Sequence, residues 1–239
     1  MKHLIVANWK MNPNTQKEGK EIFSALNGPA SGWDAIEVVI CPPFVYLPSI
    51  VGSNSGFKTG AQNIYFEDKG AFTGEISAEM VKDLGAEYVI IGHSERRKYF
   101  GETDEMINKK IKKALEVGLK VIFCIGETQE EHDAGKKNEV LEKQIKIGLE
   151  GVEDLSNLNI AYEPVWAIGT GNNCGVEETK QSIDFIKKLI PENTRIIYGG
   201  SVKSENSGAY IKEAGANGLL VGGASLNAEE FIKIAKSAE

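Results

Sequence analysis

The chain has 239 residues, of which 41% are hydrophobic and 26% are charged, as is ordinary for a globular protein. Its formal net charge of −7 argues against a broad nucleic-acid surface, although a local cluster of donors can still bind a small anion. The three cysteines are too few and too scattered for a disulfide framework, and no apolar run approaches the ~18 residues of a membrane span. We therefore expect a cytoplasmic protein that binds neither nucleic acid nor membranes.

Eight short apolar segments recur along the chain, and each is followed by a longer amphipathic stretch. Most of them are continuously apolar, as is typical of strands that are buried on both faces of a parallel sheet. The segments are residues 4–7, 38–41, 57–61, 88–91, 121–125, 160–162, 195–198 and 218–221.

The stretches between these segments carry the periodicity of amphipathic helices. Apolar residues recur at helical spacing over residues 107–115, with Gly118 as the expected stop, and over residues 183–190, where Pro191 is expected to end the helix. The long charged stretch after Glu127 predicts one exposed outer helix.

Strand–helix alternation repeated eight times predicts an α/β fold, a single (β/α)₈ TIM barrel with a closed parallel sheet and outer helices. The rival is a doubly wound open sheet, which needs a glycine-rich turn after its first strand; residues 8–12 contain no glycine. We expect one domain over residues 1–239.

Polar residues and glycines follow several of the predicted strands. In such a barrel the carboxyl ends of the strands meet at one mouth, which is where the active site is expected. The residues at these ends are Asn8, Lys10, His93, Ser94, Glu95, Arg96, Glu163, Gly199, Gly200, Ser201, Gly222 and Gly223.

Glu163, His93 and Lys10 can together form a proton-transfer set. Moving hydrogen between adjacent carbons of a hydroxy-ketone needs a base for the carbon-bound proton, an acid for the oxygens and a cation for the enediolate charge. Gly222 and Gly223 would let backbone N–H groups approach an anion, and barrels often bind phosphate after strands seven and eight. Taken alone, each of these residues has an ordinary structural explanation; their joint placement at strand ends favours a site.

Other kinds of site lack the residues they require. The sequence has no G-x-S-x-G and no G-x-x-x-x-G-K-[ST], and Gly169-Thr170-Gly171 lacks the third glycine of a dinucleotide motif. The three scattered histidines indicate no metal site. We expect no metal and no cofactor.

Several longer motifs stand in a characteristic order along the whole chain. They are residues 8–12 (NWKMN), 61–63 (AQN), 70–77 (GAFTGEIS), 91–97 (IGHSERR), 124–127 (CIGE), 161–171 (AYEPVWAIGTG), 198–202 (YGGSV) and 220–226 (LVGGASL). With these motifs the sequence resembles the triosephosphate isomerase family. The resemblance implies a cofactor-free interconversion of D-glyceraldehyde 3-phosphate and dihydroxyacetone phosphate through an enediolate.

The resemblance also implies roles for individual residues. Glu163 would be the general base, His93 a neutral imidazole that acts as electrophile, Lys10 the cation that stabilises the enediolate, and Asn8 an orienting group. Two further residues would support these: Glu95 would hold Lys10, and Ser94 would lie beside Glu163 when the site is open. The phosphate would be bound by the backbone N–H groups of Gly169, Ser201, Gly222 and Gly223.

A mobile cover over the site is implied as well, since a reactive enediolate must be kept from water and from losing phosphate. This lid would consist of Pro164, Val165, Trp166, Ala167, Ile168, Gly169, Thr170 and Gly171. The hinge that follows, Asn172-Asn173-Cys174-Gly175, departs from the family's usual lysine or small residues. We expect this departure to alter the rate of lid closure and to leave the chemistry intact.

Residues 62–76 resemble the protruding loop through which members of this family form homodimers. Thr73 at its tip would reach the partner subunit's Asn8 and Lys10, and Glu75 would pair with Arg96 across the interface. Tyr65, Phe66 and Phe72 would otherwise be exposed aromatic residues on a long loop, which also indicates a partner surface.

Two alternatives to the isomerase hypothesis remain at this point. One is another phosphosugar isomerase or epimerase on the same barrel. The other is a non-catalytic barrel that serves as a binding or scaffold protein.

Overall fold

The computed structural model describes residues 1–27, 33–52, 56–168 and 173–239. Its centre is a closed barrel in which each strand pairs in parallel with the next and the last pairs with the first. The strands are β1 (His3–Asn8), β2 (Ile36–Cys41), β3 (Lys58–Ala61), β4 (Tyr88–Ile91), β5 (Lys120–Ile125), β6 (Leu158–Tyr162), β7 (Arg195–Tyr198) and β8 (Gly218–Val221). The predicted barrel is confirmed, and every apolar segment became a strand.

Helices pack around the outside of this barrel. In the described part of the chain they are α1 (Gln16–Asn27), α2 (Leu47–Ile50), α3 (Ala78–Asp83), α4 (Ser94–Phe100), α5 (Asp104–Glu116), α6 (Gln129–Asp133), α7 (Lys137–Gly148), α8 (Val176–Ile186), α9 (Ser204–Lys212) and α10 (Ala228–Lys236). Among the described residues, no helix is long and apolar enough to cross a membrane.

The predicted helix over residues 107–115 is confirmed as α5, and Gly118 follows it with the positive φ of 77° that favours glycine. Two other helix predictions were wrong in extent. The charged stretch after Glu127 forms two helices, α6 and α7, because the chain turns at Gly135, whose φ is 68°. Helix α8 ends at Ile186, since the next backbone bonds tighten to the i→i−3 type, as from Leu189 N–H to the Ile186 carbonyl.

The strands are apolar on both faces because both faces are buried. One set of alternate strand residues, including Val6, Ile90 and Leu220, forms a cluster made of strand residues only, which fills the barrel interior. The other set, including Ile5 and Val89, packs against the helices. This two-sided burial explains why the strand segments are continuous apolar runs in the sequence.

A polar network lies at the amino-terminal end of the barrel, opposite the predicted mouth. Arg195 donates to Glu37 at 2.7 Å, to Asn159 at 2.7 Å and to the Tyr88 hydroxyl at 3.2 Å. Burial alone would raise the pKa of Glu37, but the hydrogen bonds and charges of Arg195 and its neighbours outweigh burial and lower it. The network thus provides hydrogen-bond acceptors for the guanidinium of Arg195, which strand packing has largely removed from water.

Candidate active site

The carboxyl ends of the strands surround a cavity of about 570 Å³. Residues from the ends of β1, β4, β6, β7 and β8 line it, although they are far apart in the sequence. The predicted residues that the structure brings together here are Asn8, Lys10, His93, Glu163, Gly199, Gly200, Ser201, Gly222 and Gly223.

Glu163 directly follows β6, and its side chain is only 2% exposed. One carboxylate oxygen, Oε2, accepts the backbone N–H of Ser94 at 2.9 Å. The other, Oε1, lies 3.1 Å from Nε2 of His93 but has no hydrogen-bond partner among the described residues. The carboxylate is therefore held by one oxygen at the start of α4, and its other oxygen is free to act on a bound molecule.

Two glycines make room for Glu163. A Cβ on Gly126 would lie 1.7 Å from the backbone oxygen of Glu163, and a Cβ on Gly199 would lie 2.9 Å from its Cγ. Any larger residue at Gly126 would collide with the backbone of Glu163. Backbone atoms cannot move aside as easily as the end of a flexible side chain. The sequence analysis assigned no role to Gly126. Its position directly after a predicted strand could have indicated that it lies at the site.

His93 is the residue that caps the start of α4, and this fixes its tautomer. Its Nδ1 accepts the backbone N–H of Glu95 at 3.2 Å, so Nδ1 carries no proton. The ring proton of the neutral imidazole is then on Nε2, on the side of Glu163. The site accordingly presents a neutral N–H donor beside a free carboxylate oxygen.

Lys10 has a backbone conformation that is uncommon for a residue other than glycine, with φ at 53°. Several hydrogen bonds hold it: its N–H donates to Asn8 Oδ1 at 3.1 Å, and Gln62 Nε2 donates to its carbonyl at 2.9 Å. Its Nζ donates to Glu95 Oε1 at 2.5 Å. Gln62 also donates to the Cys41 carbonyl at 2.8 Å and so ties Lys10 to β2, a role that sequence reasoning missed.

The region predicted to bind phosphate lies along the β7 and β8 side of the cavity. Ser201, Gly222 and Gly223 line it there, whereas Gly169 lies outside the described residues. Lys203 also lines this side, close to the start of α9. Sequence reasoning did not single out this lysine, which adds a cation near the predicted anion site.

The first part of the predicted lid is a short 3₁₀ turn, Val165–Ala167. Trp166 Nε1 donates to the buried carboxylate of Glu127 at 2.9 Å, and Ser201 Oγ donates to the Ala167 carbonyl at 2.6 Å. Burial raises the pKa of Glu127. Pro164 precedes this turn and Ile168 follows it, while Gly169, Thr170 and Gly171 of the lid and Asn172 of the hinge lie outside the described residues.

Two of the residues predicted for a dimer contact, Thr73 and Glu75, lie on the 62–76 loop, and the third, Arg96, lies on α4. Thr73 and Glu75 are exposed, and so is Phe72. Tyr65 and Phe66, expected to be exposed, are half-buried because their rings stack on each other with centroids 4.2 Å apart.

Arg96 was predicted to pair with Glu75 of a second subunit. Within one chain it donates to Glu102, which is buried and also accepts from Lys110 at 2.5 Å. The pair between subunits stays a prediction. Among the residues that the structure describes, no group of three or more His, Cys, Asp or Glu side chains could hold a metal ion.

Comparison with known proteins adds a separate line of evidence. The family model for triosephosphate isomerase matches residues 3–238. The triosephosphate isomerase of Aquifex aeolicus is 48% identical over 247 aligned positions, covering 99% of this chain and all of that protein. Those of Alkaliphilus oremlandii and Dictyoglomus thermophilum are each 47% identical, with 98% of this chain and 98% of the relative covered.

Proposed function

The chain belongs to the triosephosphate isomerase family, and on this premise we propose that it interconverts D-glyceraldehyde 3-phosphate and dihydroxyacetone phosphate. It is an intramolecular aldose–ketose isomerase. The observation that carries the proposal is the free oxygen of Glu163 at 3.1 Å from His93 Nε2, in a cavity that also contains Lys10. A base, an acid and a cation are what proton transfer between adjacent carbons needs.

Glu163 is the base in this mechanism. Its Oε1 takes the proton from the carbon next to the carbonyl, and the electron pair of that C–H bond becomes part of an enediolate. The Ser94 N–H bond to Oε2 keeps the carboxylate aimed while Oε1 reacts. Return of a proton from the Glu163 carboxyl to the neighbouring carbon completes the isomerisation with no oxidant or reductant.

His93 and Lys10 act on the oxygens. His93 transfers its Nε2 proton to the oxygen that becomes negative, and the imidazolate that remains takes up the proton of the other oxygen and is neutral again. Lys10, held by Glu95, supplies the positive charge that stabilises the enediolate. Asn8, whose Oδ1 accepts from the Lys10 N–H, orients the substrate beside them.

We assign phosphate binding to the backbone N–H groups of Ser201, Gly222, Gly223 and Gly169. The glycines allow the backbone to approach an anion closely, and a short 3₁₀ helix, Gly223–Leu226, begins at this point. We also propose that residues 164–171 act as the lid that excludes water from the enediolate.

The active form that we propose is a homodimer. Large hydrophobic residues are exposed on the segments that follow β1 to β4, and the 62–76 loop is one of these segments. Such a concentration of exposed apolar residues indicates a partner surface. These residues are Met11, Val45, Phe72, Met80, Leu84, Tyr99 and Phe100.

We place the protein in the cytoplasm, where its three free and buried cysteines would stay reduced. We also treat residues 1–239 as one domain, because strands and helices from His3 to Lys236 contribute to a single barrel.

The test of the proposed function is a coupled assay. Purified protein is given D-glyceraldehyde 3-phosphate, a glycerol-phosphate dehydrogenase and NADH, and NADH consumption is followed against a blank without the protein. We expect turnover far above the blank. A rate equal to the blank would reject the isomerase function and leave the scaffold alternative; activity only on a larger phosphosugar would favour the epimerase alternative.

A further inference from the structure

Glu230 lies in the first turn of α10, but its side chain bonds to the first residue of the neighbouring helix, α9. Its Oε1 accepts the backbone N–H of Ser204 at 2.7 Å, and its Oε2 accepts the hydroxyl of Ser204 at 3.0 Å. Glu230 also lines the active-site cavity. One carboxylate at the edge of the cavity therefore joins the starts of two helices.

The backbone of Glu230 is fixed as well. Its N–H donates to Oδ1 of Asn227 at 3.0 Å, and Asn227 caps the start of α10. The segment that leads into this cap, residues 222–226, begins with the two glycines of the proposed phosphate site. The carboxylate thus belongs to the helix that follows one half of that site.

The other half of the proposed phosphate site, residues 199–203, leads directly into Ser204. Asn206 braces this segment: its Oδ1 accepts the N–H of Lys203 at 2.8 Å, and its Nδ2 donates to the carbonyl of Ser201 at 3.1 Å. Because these bonds tie the segment to the first turn of α9, a displacement of that turn also displaces Ser201. The position of Ser204 therefore affects where the N–H of Ser201 points.

The charge of Glu230 does not by itself favour phosphate. The hydrogen bond from the Ser204 N–H lowers the pKa of Glu230, so the carboxylate is negatively charged at neutral pH. A carboxylate in the wall of an anion-binding cavity repels the anion, which would weaken phosphate binding. Any favourable contribution of Glu230 must therefore come from its hold on α9, whose free N–H groups and dipole favour an anion at this end.

We propose that Glu230 is a positioning residue that fixes the spacing between the two halves of the phosphate site, residues 199–203 and 222–226. This inference rests on the proposed function and adds the residue that joins these halves. Since both oxygens of the carboxylate are bonded to Ser204, Glu230 acts through α9. Its loss weakens phosphate binding in the ground state and the transition state alike, so KM rises while kcat stays nearly constant.

The experiment uses inorganic phosphate as the probe, because this ion reports on the phosphate site without the carbon chain. Its dissociation constant is measured by phosphorus NMR titration, KM and kcat are measured in the isomerase assay, and Tm is measured separately. Glu230→Ala removes the carboxylate, whereas Glu230→Gln removes its charge and keeps an acceptor for the Ser204 N–H. Glu229→Ala is the matched control, because Glu229 is an exposed carboxylate in the same helical turn.

We expect Glu230→Ala to raise the phosphate dissociation constant and KM by about tenfold, the effect of ~1.4 kcal/mol of lost binding, with kcat within about twofold of wild type. Glu230→Gln should bind phosphate more tightly than Glu230→Ala does. Glu229→Ala should bind it as tightly as wild type or slightly more tightly. Wild-type or tighter phosphate binding by Glu230→Ala would overturn the positioning role, since repulsion would then be the only effect of the carboxylate.

The partner residue provides a second test that does not depend on the stability of Glu230→Ala. Ser204→Ala removes the hydroxyl donor, and we expect the phosphate dissociation constant to rise about threefold, whereas Ser204→Thr keeps the hydroxyl and should retain wild-type affinity. Wild-type affinity in Ser204→Ala would contradict the proposal. A wild type that binds phosphate but does not isomerise would reject the proposed function alone, because the phosphate affinities still decide the role of Glu230.

Discussion

Oε1 of Glu163 and Nε2 of His93 lie 3.1 Å apart without forming a hydrogen bond. Each group is held from its far side: Oε2 of Glu163 by the Ser94 N–H, and Nδ1 of His93 by the Glu95 N–H. Both supports come from the first turn of α4. The helix start therefore sets the aim of the base and the tautomer of the acid together, and leaves both reactive atoms free for substrate.

Replacing the imidazole tests this arrangement. His93→Gln removes the Nε2–H donor that serves the substrate oxygens, and we expect kcat to fall by about 10²- to 10⁴-fold, the range for a general acid or base. His3→Gln is the control, because His3 bonds to the Ala238 carbonyl near the chain terminus. The kcat of both variants is measured by steady-state kinetics. A His93→Gln enzyme with wild-type kcat would show that His93 has no part in the mechanism.

Gly126 is required by packing against the Glu163 backbone. Gly126→Ala would place a Cβ 1.7 Å from the Glu163 oxygen, so β6 must shift, and overpacking of this kind costs about 1–3 kcal/mol of stability. We expect kcat to fall at least about tenfold, because displacement of a catalytic group by about 1 Å has large effects.

The matched control is Gly208→Ala within helix α9, where the added Cβ meets nothing nearer than 3.9 Å. That change should leave kcat unaltered and stabilise the helix by roughly 0.5–1 kcal/mol. Urea unfolding and kcat are measured for both variants. Normal activity in Gly126→Ala would show that the site does not depend on this close approach.

The proposed dimer predicts a strong effect at the loop tip. Thr73→Arg places a charge where the partner subunit would bury it, and an unpaired buried charge costs about 3–5 kcal/mol. We expect the dimer dissociation constant to rise by at least about 10²-fold in sedimentation velocity. Lys69→Arg, on the same loop, keeps its charge and should leave the dimer intact. Equal dissociation constants for the two variants would exclude Thr73 from the interface.

The ion pair of Glu37 with Arg195 predicts a pH dependence of stability. The pKa of Glu37 is lowered in the folded protein, so its contribution is fully present above its ordinary value of 4.5 and is lost as pH falls through the folded value. Glu37→Gln should therefore cost about 1.5–3 kcal/mol of unfolding free energy near pH 7, and less near pH 4.

Unfolding of both proteins at these two pH values provides the measurement. Glu139→Gln, a change at an exposed position on α7, controls for the general effect of removing a carboxylate. It should change the unfolding free energy little at either pH. A cost of Glu37→Gln that is the same near pH 4 as near pH 7 would show that the pair does not set this dependence.

The sequence predicted the strands and the residues at their ends because both follow from local patterns. Two-sided burial makes each strand a continuous apolar run, and a parallel barrel sends every strand end to one mouth. That rule brought Lys10, His93 and Glu163 together from three distant segments. The dimer contact, the lid and the role of each site residue stay predictions.

The sequence did not reveal contacts between distant segments, because the residues that form such contacts have no fixed spacing along the chain. The clamp of Gln62 on Lys10 and the bond from Tyr210 to Cys174 each join residues more than 30 positions apart. The end of α8 was missed for another reason: Leu189 packs against the core as a helical residue would, but its backbone has already changed to i→i−3 bonding. The spacing of apolar residues shows which side chains are buried, but it does not show where the backbone hydrogen bonds change from i→i−4 to i→i−3.

The central claim is that Glu163 removes a proton from carbon, and isotope exchange tests it most directly. Wild type and Glu163→Gln are each incubated with dihydroxyacetone phosphate in D₂O, and deuterium at carbon is followed by NMR. We predict that wild type incorporates deuterium into substrate and product, and that Glu163→Gln does so at least ~10²-fold more slowly while retaining the wild-type fold. Exchange by Glu163→Gln at a rate near that of wild type would contradict the account.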